Sequence, residues 1–167
     1  MPNEEMDRRW EQWMDRHLDA LLLYARTQTF RESDAEDLVQ QALAEVVGNS
    51  EPELPLVYTI IRRRAIDLGR SNSARWKREN ASAAFSPEWL EPDVEGRDAA
   101  ALIAHEISKL SPAQQEVLTL HLWSGLTFRE IGEILDVPLH TAASRFKAAL
   151  AALRPGLLEL DPNSLVP

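Results

Sequence analysis

His140, Thr141, Ser144 and Lys147 fall on one side of a helical pattern, with Arg145 at its edge. Such side chains exchange hydrogen bonds and carry positive charge at helical spacing, which equips a surface to touch base edges and phosphates. A second group, Arg62, Arg63, Arg70, Arg75, Lys77 and Arg78, leads out of an earlier helical pattern with Trp76 among its members. Bases interleaved with an aromatic suit phosphate contacts beside a stacking surface, although a solvated charged face has the same composition. Bond-breaking chemistry finds little support. His17, His105, His121 and His140 lack metal-ligand spacing, and the chain has no cysteine nucleophile. The serines have no elbow motif, and the 6 glycines form no phosphate-cradling loop. Asp15 and Asp19 are spaced as a carboxylate pair, but nothing positions a substrate beside them. The expectation is a non-enzymatic protein that needs no metal and no cofactor.

The elements that must hold these residues can be read locally. Thr127 with Glu130 is a capping box that starts a helix at Phe128, with Ile131, Ile134 and Leu135 on its apolar face. Pro138 breaks the pattern by disfavouring helix at the residue before it. A second helix then carries Ala142, Phe146, Ala149, Leu150 and Leu153 inward. Two helices joined by a short turn, the second small, polar and basic outside, form the helix-turn-helix pattern. An ordinary antiparallel helix pair would share the periodicity, so the rest of the chain must decide.

With 167 residues, 44% of them hydrophobic, the chain can hold one medium domain or two small helical ones. The absence of cysteine rules out disulfides and suits a reducing cytoplasm. The charged start MPNEEMDRRWEQWMDRH is neither a signal nor a transit peptide, and no apolar run approaches a membrane span. A soluble, cytoplasmic protein is expected. The net charge of −9 argues against nucleic acid only until its distribution is read. Residues 1–56 carry 13 acidic and 5 basic side chains, whereas residues 57–80 carry 7 basic and 2 acidic. Residues 81–98 return to 5 acidic and 1 basic. A basic island between acidic flanks leaves a local polyanion site, while the acidic flanks suggest a second partner that is itself basic, or self-shielding when the chain is alone.

In chain order, residues 4–28 read as a long helix with Met6, Trp10, Trp13, Met14, His17, Leu18, Leu21, Leu22 and Ala25 on its apolar stripe. The tryptophans are core anchors and His17 a packed histidine on the same stripe. Ser33 with Glu36 forms a capping box opening a helix over about Asp34–Val47. Gly48–Pro55 is a loop, and a third helix runs from near Leu56 past Arg70. Its wheel puts Arg64 on the apolar face, half-buried and paired with an acid of the first helices, while Arg62, Arg63 and Arg70 point away. Residues 81–98 resemble a linker, with Phe85, Trp89 and Leu90 too apolar for a free tether. Asp98 caps a fourth helix with Leu102, Ile103, Ile107 and Leu110 inward. Ser111, Pro112 and Gln114 open a fifth, which carries Val117, Leu118, Leu120, His121 and Leu122 and ends at Ser124-Gly125. Beyond its first leucines the tail carries no clear element.

Two helical modules, one ending in a basic helix and the other in a helix-turn-helix, resemble the extracytoplasmic-function class of bacterial RNA polymerase sigma factors over about residues 5–155. Three stretches carry the resemblance: DAEDLVQQAL (Asp34–Leu43), VYTIIRRRAIDLGR (Val57–Arg70) and the progression from Leu110 to Arg154. The resemblance implies an all-α fold of two small modules. Residues 1–80 form the polymerase-docking and promoter-melting domain, 81–98 an acidic proline-containing linker, 99–155 the helix-turn-helix domain and 156–167 a tail. It implies that Asp34, Glu36, Asp37 and Gln40 face the polymerase clamp. Arg62, Arg63, Arg70 and the run Arg75, Trp76, Lys77, Arg78 would meet the downstream promoter element. His140, Thr141, Ser144, Arg145 and Lys147 would lie in the major groove, with Arg129 on a backbone phosphate. The implied partners are core RNA polymerase, promoter DNA and an anti-sigma factor.

The sequence departs from the family pattern at definite places. Gly48–Pro55 is several residues shorter than the loop that captures a flipped base in that family. Leu56 stands for a usual tryptophan, Arg63 for a usual asparagine and Ala143 for a commonly basic residue, while Ala148 and Ala151 lie on the exposed side of the recognition helix. Two other classes therefore stand beside the first. One is a sigma-like protein that binds polymerase or an anti-sigma factor without initiating. The other is a conventional helix-turn-helix regulator, against which the DAEDLVQ helix argues.

Overall fold

The computed structural model describes residues 2–29, 31–48, 52–71 and 97–158, and the described residues form seven helices and no strand. Three of them, α1 (Pro2–Gln28), α2 (Glu32–Val46) and α3 (Leu54–Ser71), pack on one another as the first module. The second contains α4 (Arg97–Ser108), α5 (Pro112–Leu122), α6 (Phe128–Leu135) and α7 (Leu139–Leu157). None of the described helices is long and apolar enough to cross a membrane.

The local start signals differ in how well they survive tertiary contact. Ser111 and Gln114 form a complete capping box with Pro112 in the first turn, and Thr127 and Glu130 form another. The box expected at Ser33 and Glu36 does not form. α2 starts earlier, with Arg31 at the cap and no side-chain bond to it. The reason is Glu32, which takes both Nε and Nη2 of Arg26 at 2.7–3.2 Å and is drawn into the first turn by the end of α1. α3 likewise begins at Leu54 rather than Leu56, so the connection after α2 is residues 47–53. α4 begins at Arg97, which places Asp98 inside it rather than at its cap.

The two modules are pressed together. A single apolar core runs from Trp13, Leu21, Tyr24, Val39 and Ile61 of the first into Val117, Leu120, Ile131, Leu135 and Ala142 of the second. Leu23 of α1 enters a further cluster with Ala104, Ile107, Leu118, Ala149 and Leu153. α1 packs on α5 and α3 on α6, so α1 near its C-terminus is enclosed on all sides. That explains why Leu23 and Tyr24, off the expected stripe, are buried: a helix apolar all round needs cover all round. Conversely Met6, Leu122 and Leu150, placed on apolar faces by periodicity, are 38%, 54% and 43% exposed. They sit near helix ends or on a flank that no neighbour reaches. Trp13 is buried, with the His17 ring 4.8 Å from it, as a core anchor and its packed histidine should be.

Candidate nucleic-acid interface

The turn between α6 and α7 sets how α7 is presented. α6 closes with Asp136 in the left-handed region (φ 54°) and the Val137 amide donating 2.9 Å to the Gly132 carbonyl. A Cβ on Gly132 would stand 2.7 Å from the Val137 carbonyl oxygen, so only glycine lets the turn lie this close to α6. Pro138 then starts α7, with Thr141 and Ala142 amides donating to its carbonyl. Ala142, Ala149 and Leu153 are buried, and Phe146 joins a ring cluster with His121 and Phe128 at centroid distances of 4.5–5.4 Å. His121 Nδ1 lies 2.8 Å from the Leu126 carbonyl, so this histidine is a structural tie between α5 and the turn before α6.

With that face inward, His140, Ser144 and Lys147 are exposed on α7, beside Ala148 and Ala151. Thr141, Ala143 and Arg145 are half-buried at the margins. Arg129, exposed on the first turn of α6, and Lys147 form no ion pair with another described residue. Two unpaired cations on adjoining helices, flanking short side chains that hydrogen-bond, can hold a polyanion and probe what it encloses.

The basic helix α3 is organised differently. Arg64 is half-buried and paired with α2 through Glu45 (2.7 Å) and Gln41 (3.0 Å), as its place on the wheel requires. Arg63 also reaches Glu45, at 2.6 Å. Hydrogen bonds from Arg64 and then Arg63 hold the Glu45 carboxyl below its ordinary range. Arg62, expected to point away into solvent, is instead only 28% exposed and bound to Glu116 of α5 at 3.2 Å. The second module covers that side of α3, which no reading of the first module alone could include. An open groove lined by Thr59, Arg62, Arg63, Ile66, Asp67 and Ile134 marks where α3 meets α6. Arg70 falls in the last turn of α3, its side chain outside the described residues, and Arg75, Trp76, Lys77 and Arg78 lie outside them altogether.

On α2, Glu36, Asp37 and Gln40 are exposed and Asp34 half-buried, so they share a polar surface remote from the core. Among the described residues no group of three or more histidines and acids could hold a metal. Three residues that join the modules had no place in the sequence reading, Tyr24, Tyr58 and Glu116, and Ser124 was read only as the stop of the fifth helix. Tyr24 donates to Glu116 at 2.7 Å, and Tyr58 and Ser124 hydroxyls meet at 2.6 Å. The one available signal was that Tyr24 and Tyr58 are the chain's 2 tyrosines, each inside a helical pattern and each needing a partner for its hydroxyl if buried.

The family described as Sigma-70, region 4 matches residues 100–153, which span α4 through most of α7. The ECF RNA polymerase sigma factor SigL of Mycobacterium tuberculosis is 30% identical over 154 residues, 87% of this chain and 87% of its own. The RNA polymerase sigma-E factor of Streptomyces coelicolor is 30% identical over 161 residues, 93% and 91% of the two chains. Among solved structures, the sigma factor RpoE of Bartonella quintana, crystallised with the anti-sigma factor NepR, shares the fold with a TM-score of 0.65 at 20% identity. That likeness covers 91% of this chain and 98% of the other.

Proposed function

The chain belongs to the extracytoplasmic-function (ECF) RNA polymerase sigma factors, and on that premise we propose how its two modules divide the work. It acts in transcription initiation by binding core RNA polymerase and directing it to promoter DNA. Sigma factors are not known as enzymes, and what this chain contributes is recognition. Core polymerase works in the cytoplasm, and so does this protein.

The helix-turn-helix module, residues 99–155, holds duplex DNA upstream. His140, Thr141, Ser144, Arg145 and Lys147 enter the major groove, with Arg129 on a phosphate. The module of residues 1–80 docks through Asp34, Glu36, Asp37 and Gln40 and meets the downstream element through Arg62, Arg63, Arg70, Arg75, Trp76, Lys77 and Arg78. Residues 81–98 link the modules and 156–167 form a tail. Strand opening costs a few kcal/mol per unstacked base, offset by stacking and phosphate contacts. An anti-sigma factor is the third partner, since the solved relative is bound to one.

The observation that carries this reading is the exposed pair Arg129 and Lys147 on consecutive helices of a helix-turn-helix. The test is transcription by purified core polymerase on a genomic promoter library with and without the chain. Specific new starts are expected. Core binding without starts would favour the non-initiating sigma-like protein, a reading that the short 47–53 connection and Leu56 favour. DNA binding without core binding would leave a conventional regulator.

A further inference from the structure

We propose that Glu45 is a positioning residue, which lowers the charge of Arg63 while fixing its direction, so that Arg63 reads a guanine edge rather than holding a phosphate. This rests on the assignment of Arg63 to the downstream element. One carboxylate on α2 serves two consecutive arginines of α3. Its Oε1 takes Arg63 Nη2 at 2.6 Å, and its Oε2 takes Arg64 Nη2 at 2.7 Å and Arg64 Nε at 3.3 Å. Arg64 Nη1 also reaches Gln41 at 3.0 Å, so neither edge of that guanidinium is left whole.

Arg63 is left differently. Its side chain is 59% exposed, and only Nη2 has a hydrogen-bond partner among the described residues. A guanidinium offers two parallel N–H pairs, Nε with Nη2 and Nη1 with Nη2. Nη2 carries one hydrogen in each pair, so a single bond to Glu45 spoils one pair and leaves the other whole. That remaining pair matches the O6 and N7 acceptors of guanine. It matches phosphate oxygens as well, and charge decides between them. A phosphate is held by net positive charge, whereas a base edge is held by the direction of the N–H groups. Glu45 leaves the two arginines one positive charge between them, which weakens their pull on a phosphate, while the N–H groups of Arg63 keep their direction. Hydrogen bonds from Arg64 and Arg63 hold the Glu45 carboxyl below its ordinary range, so it stays charged at neutral pH. Ile66, one turn on from Arg63 and exposed, lends an apolar face for the ring, and both line the open groove beside α6.

The experiment measures binding of the full chain, alone and with core polymerase, to thymine oligodeoxynucleotides that carry one guanine, one adenine or one 7-deazaguanine. The last keeps O6 and lacks N7. The parent chain should prefer guanine to adenine by about tenfold, within what a bidentate pair provides, with 7-deazaguanine between them. Arg63→Asn should reverse the preference to adenine, whose N6 and N7 suit an amide. Glu45→Gln keeps an oxygen for one arginine and frees the charge of Arg63. It should bring the guanine-to-adenine ratio near one and steepen the slope of log affinity against log salt by about 0.7, the value of one more single-strand phosphate contact. A merely structural tie between α2 and α3 would instead lower all affinities alike and leave the ratio standing. That outcome, a parent chain without guanine preference, or an Arg63→Asn chain that still prefers guanine would overturn the proposal. Helix content of each variant checks that α2 and α3 stay folded. Failure of the chain to join polymerase would count against the functional reading alone, because the free chain reports the base preference by itself.

Discussion

The Tyr24 hydroxyl donates to Glu116 Oε1 at 2.7 Å across 92 residues of sequence, and the same oxygen takes Arg62 at 3.2 Å. One carboxylate thus ties α1, α3 and α5 together. Removing the hydroxyl should show how much that tie stabilises. Tyr24→Phe loses a hydrogen bond to a charged acceptor, for which about 1.5–3 kcal/mol is ordinary. Tyr58→Phe loses a neutral one to Ser124, at about 0.5–1.5 kcal/mol. Urea unfolding of both variants should rank them in that order. The reverse ranking would show that Glu116 does not hold the modules together.

The same two tyrosines make the packed state visible in alkali. Burial, and then the charge of Glu116, pushes the Tyr24 phenol well above its ordinary value; burial does the same to Tyr58, partly offset by the bond to Ser124. A phenol raised in the folded state contributes its stabilisation in full below the unfolded value of about 10 and loses it as pH climbs towards the folded one. Because the chain has no other tyrosine, its whole tyrosinate absorbance reports this contact. We expect almost none at about pH 10.5 and a cooperative rise together with unfolding or opening. A phenol that ionises near pH 10 with the fold unchanged would contradict the burial of one side.

Gly132 and Asp136 should respond to exchange in opposite directions. Gly132→Ala drives a Cβ against the Val137 carbonyl oxygen, a backbone atom that cannot swing away, and overpacking of this kind costs about 1–3 kcal/mol. Asp136→Gly relieves a left-handed residue of its Cβ, a gain of up to about 1 kcal/mol. Thermal unfolding should therefore fall for the first and hold or rise for the second. A fall in both would mean that Asp136 has a stabilising contact beyond the backbone.

The contrast between these sites explains how far the sequence could be read. α5, α6 and α7 start where their capping residues and prolines say, because a capping box is closed within four residues and needs nothing from elsewhere. Ser33 carried the same signal and lost it to Arg26, a tertiary partner that bonds Glu32 more strongly than a serine caps. The exposed polar side of α7 was likewise legible, since its inward side is set by Ala142, Phe146, Ala149 and Leu153 at helical spacing. Arg62 was not, because its surroundings come from a helix that begins fifty residues later. Periodicity says which way a residue leaves its own helix, and not what waits there.

Residues proposed to hold phosphate should separate by salt from those proposed to read bases. Arg129→Ala and Lys147→Ala each remove a cation that no described residue neutralises, so each should weaken binding on every promoter alike. The slope of log affinity against log salt should fall by about 0.9 for each lost phosphate contact. Ser144→Ala should leave the slope alone and change which sequences are preferred. A salt slope untouched by Lys147→Ala would place that side chain away from the backbone.

The alanines of α7 give the last expectation its chemistry. Ala148 and Ala151 are exposed beside His140, Ser144 and Lys147, and Ala143 is half-buried at their margin, so much of the surface offered to the groove ends in methyl groups. Short side chains let the helix approach closely, and the apolar feature of the major groove they can meet is the thymine C5-methyl. Replacing thymine by uracil deletes that methyl and keeps every hydrogen-bonding group. Each thymine that packs on an alanine should then lose about 0.8 kcal/mol on exchange, or about fourfold in affinity. Ala143→Lys should trade this sensitivity for a steeper salt dependence. A recognised promoter element bound equally well with all its thymines exchanged would show that the hydrogen-bonding residues alone read the sequence.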